Sequence, residues 1–202
     1  MNDERTWVIQ AQRGNDDAFT RLVETYQTPV FNLCYRMLGE PELAEDAAQE
    51  TFLRAYQHIR RYDLKRPFAT WLLSIAAHHC IDRLRRRRFF SISIDDEGDD
   101  EDDRPLELPD TAAIDPALEA ERREEQRLLH GLLSALNPTD RAALILRYWY
   151  DFSEVEIADA LSLTVSAVKS RLFRARKQIG QGWLESSAEP EAERMPYGSP
   201  AF

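Results

Sequence analysis

The sequence is poor in the residues that break helices, that make disulfides and that line up in long apolar runs. Its 202 residues include 7 glycines and 2 cysteines. So few glycines, with few β-branched runs, favour helix over strand. Cys34 and Cys80 are too few for a disulfide framework, and their apolar surroundings suit free, buried thiols. No run approaches the roughly 18 unbroken apolar residues of a membrane helix. Met1, Asn2, Asp3, Glu4 and Arg5 lack the basic-then-apolar order of a signal peptide. A cytoplasmic chain without membrane insertion is therefore expected. Paired catalytic carboxylates, a nucleophile elbow and a glycine-rich phosphate loop are all missing, which argues against an enzyme. His78, His79 and Cys80 are consecutive, and neighbours on a helix diverge too far to converge on one ion, so neither a metal nor another cofactor is expected.

The formal net charge of −10 argues against a nucleic-acid partner until its distribution is considered. Residues 1–90 carry a balance of +2, residues 91–120 one of −11, and residues 121–202 one of −1. One acidic stretch thus accounts for the whole imbalance, and both flanking segments have basic clusters of their own.

Apolar spacing predicts a helix over Asp17–Tyr26 through Ala18, Phe19, Leu22, Val23 and Tyr26. Proline is best tolerated in a first helical turn, so a second helix is expected from about Pro29 to Gly39. A third runs from Pro41 to near Arg60. A fourth carries Trp71, Leu72, Ile75, Ala76 and Ile81 into the basic run Arg83–Arg88. Four helices with short links make a bundle. Residues 91–119, rich in Asp and Glu, cannot bury enough surface to offset their ordering entropy and read as a flexible linker. Beyond it, Leu128, Leu129, Leu132, Leu133 and Leu136 mark a helix. Asn137-Pro138 starts another, Ser153 to Glu156 has capping-box spacing, and Thr164 is an N-cap for a last helix from Val165 to about Ile179. The fold class is all-α: two small helical domains, 15–90 and 120–182, joined by an acidic flexible linker and followed by a disordered tail at 183–202.

The last two helices carry the informative pattern. Val168, Leu172, Ala175 and Ile179 recur at helical spacing and must face inward. Ser166, Lys169, Ser170, Phe173, Arg174 and Lys177 are left facing outward. Between Val165 and Gln178 stand five basic residues and no acidic one. A helix entering the major groove needs that selection, since phosphates repel carboxylates while Lys and Arg displace counterions and reach base edges. Two helices, a short turn and a basic second helix make the helix-turn-helix pattern.

Residues 152–177, FSEVEIADALSLTVSAVKSRLFRARK, resemble the promoter-reading domain of extracytoplasmic-function (ECF) sigma factors of RNA polymerase, in the sigma-70 family. Ala44 to Phe52, AEDAAQETF, resembles the segment with which that family docks on the clamp helices of the largest polymerase subunit. Phe68–Ala76 and Ile81–Arg86 resemble its promoter-melting region. The resemblance implies contacts to the minus-thirty-five element by Lys169, Ser170, Phe173, Arg174 and Lys177, with Thr164 and Ser166 near the backbone at the helix start. It implies that Tyr62, Lys65, Arg66, Phe68, Trp71, His78, Arg85 and Arg86 serve the minus-ten element and melting. Aromatic side chains beside cations suit that task, since they stabilise unstacked bases. Asp46, Gln49 and Glu50, at i, i+3 and i+4 on one helix face, would meet core polymerase. The implied partners are core polymerase (clamp helices and, for the C-terminal domain, the flap), promoter DNA and an anti-sigma factor. Three positions depart from the family pattern. Ser162 replaces a turn glycine, Ser166-Ala167 a Gly-Thr pair, and His78 an asparagine. A stand-alone helix-turn-helix regulator and a scaffold or anti-sigma-type protein are the alternatives; the first leaves the clamp-like and melting-like segments as coincidences, and under the second charge reversal at Arg174 would leave function intact.

Overall fold

The computed structural model describes residues 2–93 and 116–188, and the described residues form helices joined by short turns and connections, with no strand among them. The eight helices are α1 (Asn2–Gln12), α2 (Asp16–Leu38), α3 (Pro41–His58), α4 (Phe68–Ser93), α5 (Pro116–Ser134), α6 (Pro138–Trp149), α7 (Glu154–Ala160) and α8 (Val165–Ala188), with a 3-10 turn at Ile59–Arg61 after α3. The all-α expectation is met.

Local chemistry sets most of the boundaries. Asn15 caps α2 by accepting from the Ala18 amide at 3.0 Å, and Asp16 and Asp17 in the first turn suit the helix dipole. Gly39 ends it in the left-handed conformation, φ 90°, with its N–H on the Tyr35 carbonyl at 2.9 Å. Asn137 accepts from the Thr139 amide at 3.0 Å, with Pro138 in the first turn of α6. Ser153 and Glu156 close a complete capping box on α7.

One expectation is corrected, and helix is found at three further places where none was expected. Residues 16–38 form one helix rather than two, with Pro29 inside it. Val30, Leu33, Cys34 and Met37 just beyond the proline are all buried, so packing outweighs the missing amide. The helix α1, not expected at all, buries Val8 and Ala11 in the same core. Helix also enters both ends of the expected linker, since α4 reaches Ser93 and α5 begins at Pro116. At the C-terminus α8 runs to Ala188, into the expected tail. Residues 94–115 and 189–202, where the rest of linker and tail fall, lie outside the described residues.

In the first half, α2 packs against α1, α3 and α4. Cys34 and Cys80, both free and buried, meet where α2 crosses α4; hydrogen bonding between the thiols and then burial hold the Cys34 thiol far above its ordinary pKa. In the second half, α8 packs on α6 and α7. The halves touch along a seam formed by α2 and α4 on one side and α5, α6 and α7 on the other. Arg141, 6% exposed, crosses it to donate to the Met37 carbonyl at 2.5 Å, while its other terminal nitrogen donates to the Ser134 carbonyl at 2.6 Å. The Tyr150 hydroxyl donates to the Pro29 carbonyl at 2.6 Å. The Arg36 guanidinium lies over the Trp149 ring, 5.2 Å from its centroid.

Candidate nucleic-acid interface

Residues 161–164 join α7 to α8, and main-chain bonds tie this turn to α7: Leu161 N–H to the Ile157 carbonyl at 2.9 Å and Leu163 N–H to the Ala158 carbonyl at 2.8 Å. Ser162, at the family's glycine position, sits at φ 55°, a left-handed conformation that a side chain disfavours. Thr164 caps α8 through its Oγ1, which accepts from the Ala167 amide at 3.2 Å. Val168, Leu172 and Ala175 are buried and Ile179 is half-buried, as their spacing predicts. The whole candidate minus-thirty-five set, Thr164, Ser166, Lys169, Ser170, Phe173, Arg174 and Lys177, is therefore exposed along one helix. Phe173 presents a ring 64% exposed. Among the described residues nothing covers most of this ring, which leaves it open on a cationic surface.

Three cations of α8 are held within the fold. Lys169 lies 3.5 Å from Glu154 at the start of α7. Asp140 of α6 receives Arg171 at 2.5 Å and Arg174 at 3.8 Å, which fixes the angle of α8 against α6. Arg171 was not singled out by sequence. Its position six residues before Lys177 and three before Arg174 gives no hint that it pairs inward.

The candidate minus-ten residues separate into two layers. Tyr62 and Phe68 are 7% and 3% exposed, so they lie in the core rather than on the surface expected for base stacking. Phe68 makes edge contacts with Tyr26 and Tyr62, centroids 5.4 and 5.6 Å apart. Both rings are used up in this packing. Trp71, half-buried, covers the cluster at 4.9 Å from Tyr62 and 5.6 Å from Phe68. Lys65 is exposed on the turn above, where Asp63 accepts from its amide at 3.0 Å. The Tyr62 hydroxyl donates to the Arg66 carbonyl, and the Arg66 guanidinium pairs with Asp159 of α7, across the seam. His78 is exposed, its Nδ1 2.9 Å from the Ser74 carbonyl. Further along α4, Arg85 donates to Thr139 Oγ1 at 3.2 Å, again across the seam, and Arg86 is exposed.

On α3, Asp46 and Gln49 are exposed and Glu50 is half-buried, on one face as expected. Glu50 pairs with Arg54 at 2.6 Å, and that hydrogen bond holds its carboxyl below the usual range. Asp46 lies 3.4 Å from Arg83. Leu53 and Tyr56, exposed on the continuation of this face, were missed. Their i+4 and i+7 relation to Gln49 was the available signal. The Tyr56 hydroxyl donates to Asp16 at 2.8 Å. Among the described residues no three His, Cys, Asp or Glu side chains gather as a metal site, and no helix is long and apolar enough to cross a membrane.

Comparison with known proteins finds matches to both halves of the chain. Residues 22–90 match the family described as Sigma-70 region 2, and residues 126–179 match Sigma-70, region 4. The chain is 33% identical over 179 residues to the ECF RNA polymerase sigma factor SigW of Bacillus subtilis, covering 85% of this chain and 92% of that one. It is 32% identical over 186 residues to the RNA polymerase sigma-H factor of Pseudomonas aeruginosa, covering 89% and 93%. The solved structure of CnrH in complex with the cytosolic domain of CnrY superposes with a TM-score of 0.66 at 25% identity, over 92% of this chain and 99% of that one. The helical sequence, the basic α8 and these matches define a transcription initiation factor built of two sigma regions. The chain belongs to the extracytoplasmic-function sigma factors of the sigma-70 family.

Proposed function

We propose that this sigma factor, a non-enzymatic initiation subunit acting in the cytoplasm, places core polymerase at promoters through three surfaces. The exposed row on α8 enters the major groove of the minus-thirty-five element. Lys65, Arg66, Trp71, His78, Arg85 and Arg86 engage the minus-ten element, with Tyr62 and Phe68 shaping the floor beneath Trp71. Asp46, Gln49 and Glu50 bind the clamp helices of the largest subunit, and the C-terminal domain meets the flap. The domain limits 15–90 and 120–182 are part of the same proposal, as is control by an anti-sigma factor. CnrH is a relative solved together with the cytosolic domain of CnrY, which supports such control here.

The observation that carries the proposal is the outward row of α8, with Phe173 open to solvent among cations and no carboxylate between Val165 and Gln178. Neutralised phosphates release counterions, so each cation strengthens binding and steepens its salt dependence. The test is reconstituted transcription with core polymerase. Arg174→Glu is expected to keep core binding while lowering minus-thirty-five-dependent initiation at least about tenfold, the effect of exchanging an attractive for a repulsive phosphate contact. Gln49→Ala with Glu50→Ala is expected to abolish core capture and leave the fold intact. Promoter selection that is unchanged by Arg174→Glu refutes the placement of α8. Core binding that is unchanged by the α3 pair refutes the docking surface.

A further inference from the structure

The helix α1 lies wholly before the matched region, residues 22–90, yet it reaches the turn on which Lys65 and Arg66 stand. Gln12, the last residue of α1, is half-buried, and its Nε2 donates to two main-chain carbonyls far away in sequence: Ile59 at 3.0 Å and Tyr62 at 2.8 Å. These carbonyls lie at the first residue of the 3-10 turn and at its C-cap. A helical end leaves carbonyls without partners, so a side-chain amide there fixes where the chain departs. From Tyr62 onward the path is set by further bonds. The Tyr62 hydroxyl donates to the Arg66 carbonyl, and the Arg66 amide donates to the Asp63 carbonyl at 3.0 Å. The other end of α1 holds the opposite edge of the aromatic cluster, where Glu4 accepts from the Tyr26 hydroxyl at 2.5 Å and the Tyr26 ring abuts Phe68. The two side chains thus hold the floor under Trp71 from both sides.

We propose that Gln12 is a positioning residue for promoter opening: its amide holds the 62–67 turn in the geometry that presents Lys65, and Arg66 once it leaves Asp159, to the separating strands. The proposal rests on the reading of that turn as the minus-ten surface. Gln12 itself touches no DNA. It acts through the Tyr62 main chain, and a turn released from it lets both cations sample positions in which they reach no phosphate. Binding energy is then spent on ordering the turn during opening, when it is needed to hold unstacked bases.

The experiment uses holoenzyme reconstituted with the full chain carrying Gln12→Met, which keeps length and volume but removes the donor, or Gln12→Lys, which restores one. Core binding, opening of a duplex promoter and initiation from a pre-melted version of that promoter are measured side by side. Gln12→Met is expected to bind core as the parent does and to open the duplex about tenfold more slowly, the effect of losing the donor to the Tyr62 carbonyl while the Ile59 carbonyl keeps only the Tyr62 amide. Its deficit on the pre-melted template should shrink to within about threefold, since strand separation no longer has to be driven there. Gln12→Lys should recover most of the opening rate. Equal losses on both templates, or a loss that Gln12→Lys does not relieve although its unfolding midpoint matches the parent's, mark Gln12 as a purely structural cap and overturn the proposal. So does Gln12→Met opening the duplex at the parent's rate. Should the parent holoenzyme itself open no promoter, the reading of the 62–67 turn fails first, and the proposal fails with it.

Discussion

Arg141 is the sharpest test of how the two halves are joined. Its guanidinium caps two helix C-termini at once, with the Met37 carbonyl at the end of α2 and the Ser134 carbonyl at the end of α5. A cation there also meets the negative ends of both helix dipoles. Burial lowers its pKa to about 10, which leaves it charged at neutral pH. Each hydrogen bond from a charged donor is worth about 1.5–3 kcal/mol. Against that stands the desolvation of the buried cation, which Arg141→Met abolishes while the methionine fills most of the volume. The net loss expected for Arg141→Met is about 2–4 kcal/mol, with roughly half of it from the Met37 bond that spans the seam. Urea unfolding followed by tryptophan fluorescence reads both halves, since Trp7 and Trp71 lie in one and Trp149 and Trp183 in the other. The variant should unfold earlier and with reduced cooperativity, because one of the two strong bonds across the seam is lost while that of Tyr150 remains. A shift below about 0.5 kcal/mol with unchanged cooperativity refutes the reasoning, for that is the range of an ordinary surface substitution.

Two further predictions concern the reading module. Ser162 holds φ 55° without glycine's freedom, so Ser162→Gly should stabilise the chain by about 0.5–1 kcal/mol in the same urea assay; a loss instead would show that the serine compensates for its own strain. Ser153→Ala opens the capping box and should destabilise by about 1 kcal/mol at neutral pH. The hydrogen bonds from the Ser153 hydroxyl, and then from its main-chain amide, hold the Glu156 carboxyl below its ordinary value of 4.5. A carboxyl lowered on folding contributes stability that is complete above that value and is lost as the pH falls through the lowered one. Stability profiles of parent and variant should therefore diverge at neutral pH and converge in acid, and parallel profiles down to about pH 3 would refute the coupling.

The recognition helix was legible because its signals are local. Capping residues, a three-and-four apolar period and a one-sided charge selection all lie within residues 153–179, and the structure keeps each of them. What escaped detection depends on partners distant in the chain. The bonds of Gln12 span 47 and 50 residues, and nothing near Gln12 announces them. Pro29 obeyed its local preference only until Val30, Leu33 and Met37 were placed in the core, where continuing the helix gains more than the proline loses. Tyr62 and Phe68 show the limit of composition: aromatic residues beside cations were read as a stacking surface, yet sequence could not say which rings would turn inward. Only Trp71, amphipathic and large, kept one side free.

The seam adds a condition on the proposed mechanism. Arg66 and Arg85 both lie in the candidate minus-ten set and both spend their guanidinium groups on the other half, on Asp159 and Thr139. A guanidinium pairing with Asp159 cannot at the same time turn the same nitrogens to a phosphate. Yet these two contacts are the weak part of the seam, because an exposed ion pair such as Arg66–Asp159 is worth no more than about 1 kcal/mol and salt screens it, and the Arg85 bond is a long one to a neutral hydroxyl. Arg141 and Tyr150 form the strong part, and neither belongs to a candidate DNA surface. The cations can therefore leave for a phosphate backbone while the seam stays closed, whereas parting the halves requires the Met37 and Pro29 carbonyls to find other donors. Promoter contact by Arg66 and Arg85 and separation of the two halves are thus energetically distinct events, and Arg141→Met acts on the second without touching the first.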